Sequence, residues 1–241
     1  MNEETAARLI EINRKFYTQF GDSFSATRHR IQPGVRKVLE RFAGDKSILD
    51  LGCGNGELAR ELGRRGHRGS YLGVDFSPPL LRDAGSQPEG FSARFMTMDL
   101  TRLVENLEEL PAIGDWSLVT AFAVLHHIPS YDLRLNILRV VKQLLTGDGM
   151  FIHSNWQFLN SERLKSRIQD WSKVGIAQAD LDPGDYLLDW RSGEHGLRYV
   201  HHFDKQELDE LARASGFGVV DTFYSDGETG NLGLYHVWQP V

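Results

Sequence analysis

Ser47-Ile-Leu-Asp50-Leu-Gly52-Cys53-Gly54-Asn55-Gly56-Glu57 is the stretch on which the fold turns. Residues 47–51 form a near-continuous apolar run, as expected of a strand buried on both faces, and they end in three glycines at alternate positions. Glu57 then opens a helical stretch to Arg65. Glycines at a strand-to-helix turn permit a tight bend and let a ligand lie against bare amides near a helix N-terminus. The spacing is Gly-x-Gly-x-Gly after an acid, which differs from the Gly-x-Gly-x-x-Gly of dinucleotide binders. Glu57 stands where that fingerprint needs a small residue, and it would repel a pyrophosphate. No Gly-Lys-Ser/Thr follows, which excludes a Walker loop.

Outward from this turn, strand and helix patterns alternate. Strands are predicted at 69–75, 93–99, 116–122 and 148–154, with helices opening at Ser77-Pro78 and covering Asp132 to Leu145. Helices also precede the core, at 1–20 and from Gly34 to Phe42. A last helix, Asp204 to Ala214, leads to two strands, Gly218 to Tyr224 and Gly233 to Trp238. Such alternation implies parallel β-α-β units with right-handed crossovers. The expected fold is a doubly wound, Rossmann-like, seven-stranded sheet, mostly parallel, with an antiparallel C-terminal strand and a helical insertion. All of 1–241 reads as one domain: an N-terminal helical lid (1–45), a core (46–154), an insertion (155–202), and a C-terminal helix with a strand pair (203–241). Within the insertion the pattern predicts a helix from Ser161 to Ser172, then an irregular segment containing Pro183, Gly184, Gly193 and Gly196.

Asp75 ends the second strand and Asp99 the third, so with Asp50 one acid stands at each of three successive strand ends. An acid in Asp75's place accepts hydrogen bonds from ribose hydroxyls. Three carboxylates along one rim suit a ligand carrying an amino group, a ribose and an adenine amine, and they suit a polyanion badly.

Composition agrees with an ordinary soluble globular protein. The 241 residues are 41% hydrophobic and 25% charged, with Lys+Arg 27 against Asp+Glu 33 for a net charge of −6. That balance argues against a body coated in phosphate-binding cations, although a local basic patch stays compatible with it. The single Cys53 allows neither an internal disulfide nor a cysteine-rich zinc site. The acidic N-terminus and the absence of a long apolar run predict a cytoplasmic protein without a membrane span.

Four ordered segments, Asp50 to Gly56, Gly73-Val-Asp75-Phe76-Ser77, Met98-Asp99-Leu100 and Ala121 to Ile128, resemble the motifs of class I S-adenosylmethionine-dependent methyltransferases over roughly residues 47–154. The resemblance implies that S-adenosylmethionine is the cofactor and S-adenosylhomocysteine the product. It implies that Asp50 and the amides of Gly52, Cys53, Gly54, Asn55 and Gly56 hold the methionine portion, and Asp75 the ribose. Phe76, in one motif with Ser77, would pack on the adenine; Asp99 and Leu100 would stand at its edge, and Ala123 at the sulfonium.

A narrower resemblance links Thr27-Arg28-His29-Arg30, Ala123 to His127 followed by Arg134-Leu135, Asn155-Trp156-Gln157 and Arg198 to Leu208 with the tRNA wobble-uridine carboxymethyl methyltransferases. Two departures stand out: Val200 replaces a Tyr of that family, and Ile31-Gln32 precedes Pro33 where a Trp is expected. This resemblance implies esterification of the carboxylate of a carboxymethyluridine in tRNA. Other open readings are O- or N-methylation of a small metabolite and a non-catalytic scaffold subunit that keeps the fold. Nothing in the residues fixes an oligomeric state.

Arg28 is the candidate cation for the methionine carboxylate and Arg30 for the acceptor, against a solvated arginine pair. His126, His127 and Arg198 are the candidate catalytic residues; of two adjacent histidines on an extended chain, one is expected to face the acceptor. Trp156, Gln157, Tyr199 and His202 are candidate acceptor contacts, with Arg198 the anion contact unless Asp189 or Glu194 pairs with it. No metal is expected, and the sequence holds neither an HExxH nor a Ser-His-Asp arrangement that would indicate a hydrolase.

Overall fold

The computed structural model describes residues 1–27, 30–41, 46–111, 115–191 and 195–241. Arg28 lies outside the described residues, as does Glu194.

The chain opens with α1 (Glu3–Ser25), capped by the Asn2 side chain, which accepts from the Thr5 N–H, and α2 (Pro33–Arg41) follows. α1 runs five residues past the expected end at Phe20, through Gly21. A Cβ on Gly21 would stand 3.1 Å from Pro79, so glycine here lets the helix lie close to the segment it crosses.

The core follows as β1 (Ile48–Leu51), α3 (Glu57–Arg64), β2 (Tyr71–Asp75), α4 (Pro78–Ala84), β3 (Ala93–Thr97), β4 (Trp116–Phe122), α5 (Tyr131–Leu144) and β5 (Leu145–Trp156). The insertion contributes α6 (Glu162–Lys165), β6 (Ile168–Gln169), β7 (Asp185–Trp190) and β8 (Gly196–His201). α7 (Lys205–Ser215), β9 (Phe217–Ser225) and β10 (Gly233–Pro240) close the chain.

The main sheet has the order β3-β2-β1-β4-β5-β10-β9. Its first five strands are parallel, and β10 runs antiparallel to both β5 and β9. This is the expected doubly wound, Rossmann-like, mostly parallel sheet. β1 and β2 are buried at every position, since helices cover both faces. One face packs Leu49, Val119, Phe151 and Trp238 against α5 and α7, and the other packs Ile48, Leu118 and Val237 against α2 and α3.

The insertion differs from the expectation. The helix predicted from Ser161 to Ser172 is one turn, Glu162–Lys165, followed by β6 and a 3-10 turn at Trp171–Val174. Leu164, Ile168 and Trp171 have helical spacing, yet Ile168 is exposed and pairs with Leu188 of β7 in a strand. The segment expected to be irregular holds β7 and β8, which pair antiparallel from Asp185↔His201 to Trp190↔Gly196. The three strands form a second sheet, β6-β7-β8, on which α1 packs through Leu9, Leu187 and Tyr199. No helix among the described residues is long and apolar enough to cross a membrane.

Candidate active site

A cavity of about 690 Å³ opens along the carboxyl ends of β1, β2 and β4 and is roofed by α1. It joins two chemically different halves. Asp50, Asp75 and Asp99 line one; Trp156, Trp190 and Arg198 line the other.

The glycine loop turns by left-handed backbone, with φ of +68° at Gly52, +55° at Gly54 and +77° at Gly56. A Cβ on Gly52 would sit 2.5 Å from Cγ2 of Val124, so the turn excludes any side chain there. A Cβ on Gly54 would meet nothing within 4 Å, which places the bare face of Gly54 on open volume. The loop's amides are not what lies open. The N–H groups of Gly52 and Cys53 donate to the Val74 carbonyl, that of Gly54 to Asp75 Oδ2 at 2.9 Å, and that of Gly56 to Cys53 O. Four of the five amides expected to hold a ligand are therefore engaged within the fold, and Gly54 contributes space. Asn55 lines the cavity, but its Nδ2 donates to Ser25 Oγ of α1 at 3.1 Å.

Asp50 is likewise turned inward: Oδ2 accepts from Tyr71 at 2.7 Å and Oδ1 from Thr120 at 2.6 Å. Burial pushes its carboxyl up to about 6 despite these two donors. Asp75 accepts the Gly54 and Ser77 N–H groups, one on each oxygen, and burial raises its pKa as well. At Asp99 burial opposes the charge, but donors from Thr101 and Arg14 outweigh it and lower the pKa. The Arg14–Asp99 contact, 2.7 Å, ties the roof helix to the end of β3. Phe76, Leu100 and Ala123 also line the cavity, whereas Gly56 and Ser77 do not. Ala123 has φ +59°, a left-handed conformation that costs a non-glycine residue about 1–2 kcal/mol. Its N–H is held by Ser154 O and Oγ. Such strain gathers at functional sites.

His126 and His127 belong to a 3-10 turn, Leu125–His127, not to an extended chain, and both line the cavity where one was expected. His127 Nδ1 lies 3.2 Å from the Tyr199 carbonyl, which can only accept, so the proton sits on Nδ1 and Nε2 accepts from the Tyr17 hydroxyl at 3.0 Å. His126 Nδ1 accepts the Trp156 N–H at 3.4 Å, which leaves the proton of the neutral ring on Nε2. In both rings the basic nitrogen is engaged, which counts against a general-base role.

Three of the expected acceptor contacts lie elsewhere. Tyr199 is fully buried and donates to Asp185 Oδ1 at 2.8 Å; Gln157 donates to the Phe203 carbonyl at 2.9 Å; the His202 ring packs edge-on against Phe158. None of the three lines the cavity, because strand pairing and neighbouring carbonyls claim them. Trp156 and exposed Arg30 do line it.

Arg198 is the unusual group. It is 4% exposed, yet it makes no hydrogen bond or ion pair among the described residues, and its Nε has no partner. Its guanidinium lies 5.0 Å from the Trp156 ring centroid, 5.5 Å from Phe16 and 5.8 Å from Trp190. Asp189, the alternative partner, accepts from Arg191 at 2.8 Å instead. Sequence reading missed Asn13, Arg14 and Tyr17 as wall residues. The signal was there: Asn13 is a polar residue in the apolar stripe of α1.

Comparison with known proteins agrees with this geometry. A family profile described as a methyltransferase domain matches residues 24–222. A relative from Encephalitozoon cuniculi, whose name describes a methyltransferase, is 29% identical over 215 residues, covering 86% of this chain and 87% of that one. The ubiquinone biosynthesis O-methyltransferase of Escherichia fergusonii is 29% identical over 126 residues, about half of either chain (50% and 48%). The Burkholderia thailandensis 1,6-didemethyltoxoflavin-N1-methyltransferase, solved with bound 1,6-didemethyltoxoflavin and S-adenosylhomocysteine, superposes with a TM-score of 0.65 at 20% identity, covering 100% of this chain and 91% of that one, which shows the shared fold. The profile spans most of the chain, from the end of α1 into β9, and takes in Asp50, Asp75 and Asp99 of the cavity: the chain belongs to the methyltransferase-domain family.

Proposed function

We propose that the chain is an S-adenosylmethionine-dependent methyltransferase whose acceptor presents a carboxylate. The acid-lined half of the cavity fits the cofactor. Gly54 leaves open volume, and Asp75, with one backbone donor on each oxygen, keeps lone pairs for ribose hydroxyls. Phe76 and Leu100 offer apolar surface to the adenine, Asp99 stands at its edge, and Ala123 flanks the sulfonium. When bound, S-adenosylmethionine supplies a methyl carbon on a positively charged sulfur, a leaving group that needs no acid. The protein's part is then alignment, an effect that can reach ~7–11 kcal/mol.

Arg198 carries the acceptor reading. A buried guanidinium without a counter-ion is costly, and an acceptor carboxylate facing the cavity would neutralise it. A carboxylate is ionised at neutral pH and attacks without a base, in keeping with the engaged nitrogens of His126 and His127. Trp156 and Trp190 keep water from the reacting oxygen. Methylation turns the carboxylate into a neutral ester, which Arg198 no longer attracts, and this helps product leave. The narrower resemblance makes the acceptor a carboxymethylated wobble uridine of tRNA in the cytoplasm. A small-molecule acceptor is the second reading, supported by the names of the Escherichia and Burkholderia enzymes. The size of the cavity, about 690 Å³, gives the scaffold reading no support.

S-adenosylhomocysteine should raise the melting temperature of the chain, and Asp75→Ala should abolish that rise; an unshifted wild type removes the cofactor reading. Tritiated methyl transfer to bulk tRNA, released by mild base as an ester must be, supports the tRNA acceptor. Label confined to a small-metabolite extract overturns it.

A further inference from the structure

Arg198 is not the only guanidinium that the insertion brings to the cavity. Arg163, on α6, and Arg167, just before β6, line it as well. Arg163 is exposed and Arg167 half-buried. Neither side chain makes a hydrogen bond or ion pair among the described residues. Arg191 is different, since it donates to Asp189 Oδ2 at 2.8 Å and to the Ser166 carbonyl at 3.1 Å. Burial, and next the charge of Arg163, lower the pKa of Arg167; Arg191 and Arg198 add to this, and Asp189 opposes it. Three guanidinium groups, Arg163, Arg167 and Arg198, thus line one cavity without a carboxylate partner among the described residues, in a chain whose net charge is −6. Like charges gathered at one cavity favour an anion there.

The carboxylate assigned to Arg198 does not use the two outer arginines. A phosphate would: its tetrahedral oxygens accept from two guanidinium groups at once. Trp156, half-buried, lines the cavity with Arg198 over one side of its ring, and an aromatic ring is the kind of group on which a flat base stacks.

We propose that Arg163 and Arg167 form a phosphate-binding subsite at the cavity mouth, so that the acceptor is a nucleotide whose base stands on Trp156 and whose phosphate lies between these two arginines. The proposal rests on the acceptor reading above and deepens it. The phosphate can belong to a free nucleotide or to a polynucleotide, and the test separates the two.

The experiment is calorimetric titration at low salt with uridine and uridine 5′-monophosphate. Neither probe has the carboxylate, so their difference reads the phosphate subsite alone, and S-adenosylhomocysteine is titrated separately to read the cofactor half. Uridine 5′-monophosphate should bind roughly ten-fold or more tighter than uridine, as charge-assisted bonds to phosphate require. The double variant Arg163→Gln/Arg167→Gln should lose that preference and keep its affinity for S-adenosylhomocysteine, while Arg163→Lys/Arg167→Lys should keep part of the preference. Equal binding of the two probes, no binding of either, or a preference that survives in the Gln variant overturns the proposal. Failure to bind S-adenosylhomocysteine strikes the cofactor reading instead. Penta-uridylate binding tighter than the mononucleotide, with a steep salt dependence, assigns the phosphate to a polynucleotide; equal affinities assign it to a free nucleotide.

Discussion

The Tyr71 hydroxyl donates to Asp50 Oδ2 at 2.7 Å, and this bond, with the one from Thr120, holds a carboxyl group between three strands with no ion-pair partner among the described residues. Burial raises Asp50 from 3.8 to about 6. Below about pH 3.8 the group is protonated in the folded and unfolded chain alike. Between that value and about 6 the folded chain keeps the proton that the unfolded chain has released, so stability falls as pH rises through this window. Above it the loss stays constant, on the order of 3 kcal/mol. Asp50→Asn should therefore melt higher than the wild type without cofactor, by a margin that grows up to about pH 6 and then levels. Melting curves across the window check this, and a margin independent of pH defeats it.

Two glycines of one loop should respond differently to alanine. At Gly54, φ +55° makes a side chain strained but the space is open, so Gly54→Ala should fold at a cost of about 1–2 kcal/mol. Its methyl would enter the volume assigned to the cofactor, and S-adenosylhomocysteine should bind at least ~10-fold more weakly, as expected of overpacking worth about 1–3 kcal/mol. At Gly52 a methyl meets Val124 at 2.5 Å, so Gly52→Ala should lose more stability than Gly54→Ala. Denaturant midpoints and binding isotherms of both variants separate the effects. Full affinity in Gly54→Ala would refute the placement.

Arg198 is held for a ligand at the expense of the empty fold. Arg198→Met keeps much of the side chain's volume against Phe16, Trp156 and Trp190 and removes an uncompensated charge. Cation–π attraction of ~0.5–2 kcal/mol per ring works the other way and limits the gain. The variant should melt as high as the wild type or up to ~4 °C higher, a gain of about 1 kcal/mol on this chain length. Methyl transfer should fall by about 10²-fold or more, with S-adenosylhomocysteine affinity unchanged. A strongly destabilised Arg198→Met would mean that an internal partner already neutralises the charge.

The parts of the chain that sequence made legible are those whose burial follows composition. Ile48 to Leu51 is apolar apart from Asp50 and runs into glycines, so its place in a parallel sheet could be read directly. The acids at β1, β2 and β3 were legible because strand ends in a doubly wound sheet share one edge. The insertion hid itself because β7 and β8 bury Asp185, Arg198 and His201, residues that ordinarily mark a surface. Gln157 and Tyr199 carry polar groups suited to a ligand, but Phe203 and Asp185 satisfy them, which only three-dimensional proximity reveals. The loop amides misled for the same reason: spacing shows where the glycines stand, not that Val74 and Asp75 accept their N–H groups.

Arg134 tests the contrast between a buried arginine that holds the fold and one that waits for a ligand. It is 1% exposed on α5, donates from Nε to the Ile128 carbonyl at 2.9 Å and from Nη1 to Glu207 Oε1 of α7 at 3.0 Å, and lies 5.0 Å from the Phe203 ring. Nη2 reaches the Tyr199 hydroxyl at 3.4 Å, which donates to Asp185 Oδ1, and His201 spans Asp185 and Glu207. Removing this cation leaves two buried or half-buried carboxylates facing each other across His201, and breaking such a pair costs about 3–5 kcal/mol. Arg134→Met should thus lower the melting temperature by more than ~6 °C. Arg134→Met/Glu207→Gln, which also removes one carboxylate charge, should recover part of the loss. The same Arg-to-Met exchange is then costly at 134 and neutral or stabilising at 198, two sites of similar burial, because one has its anion within the fold and the other does not. Equal losses at both positions would show that Arg198, too, serves the fold.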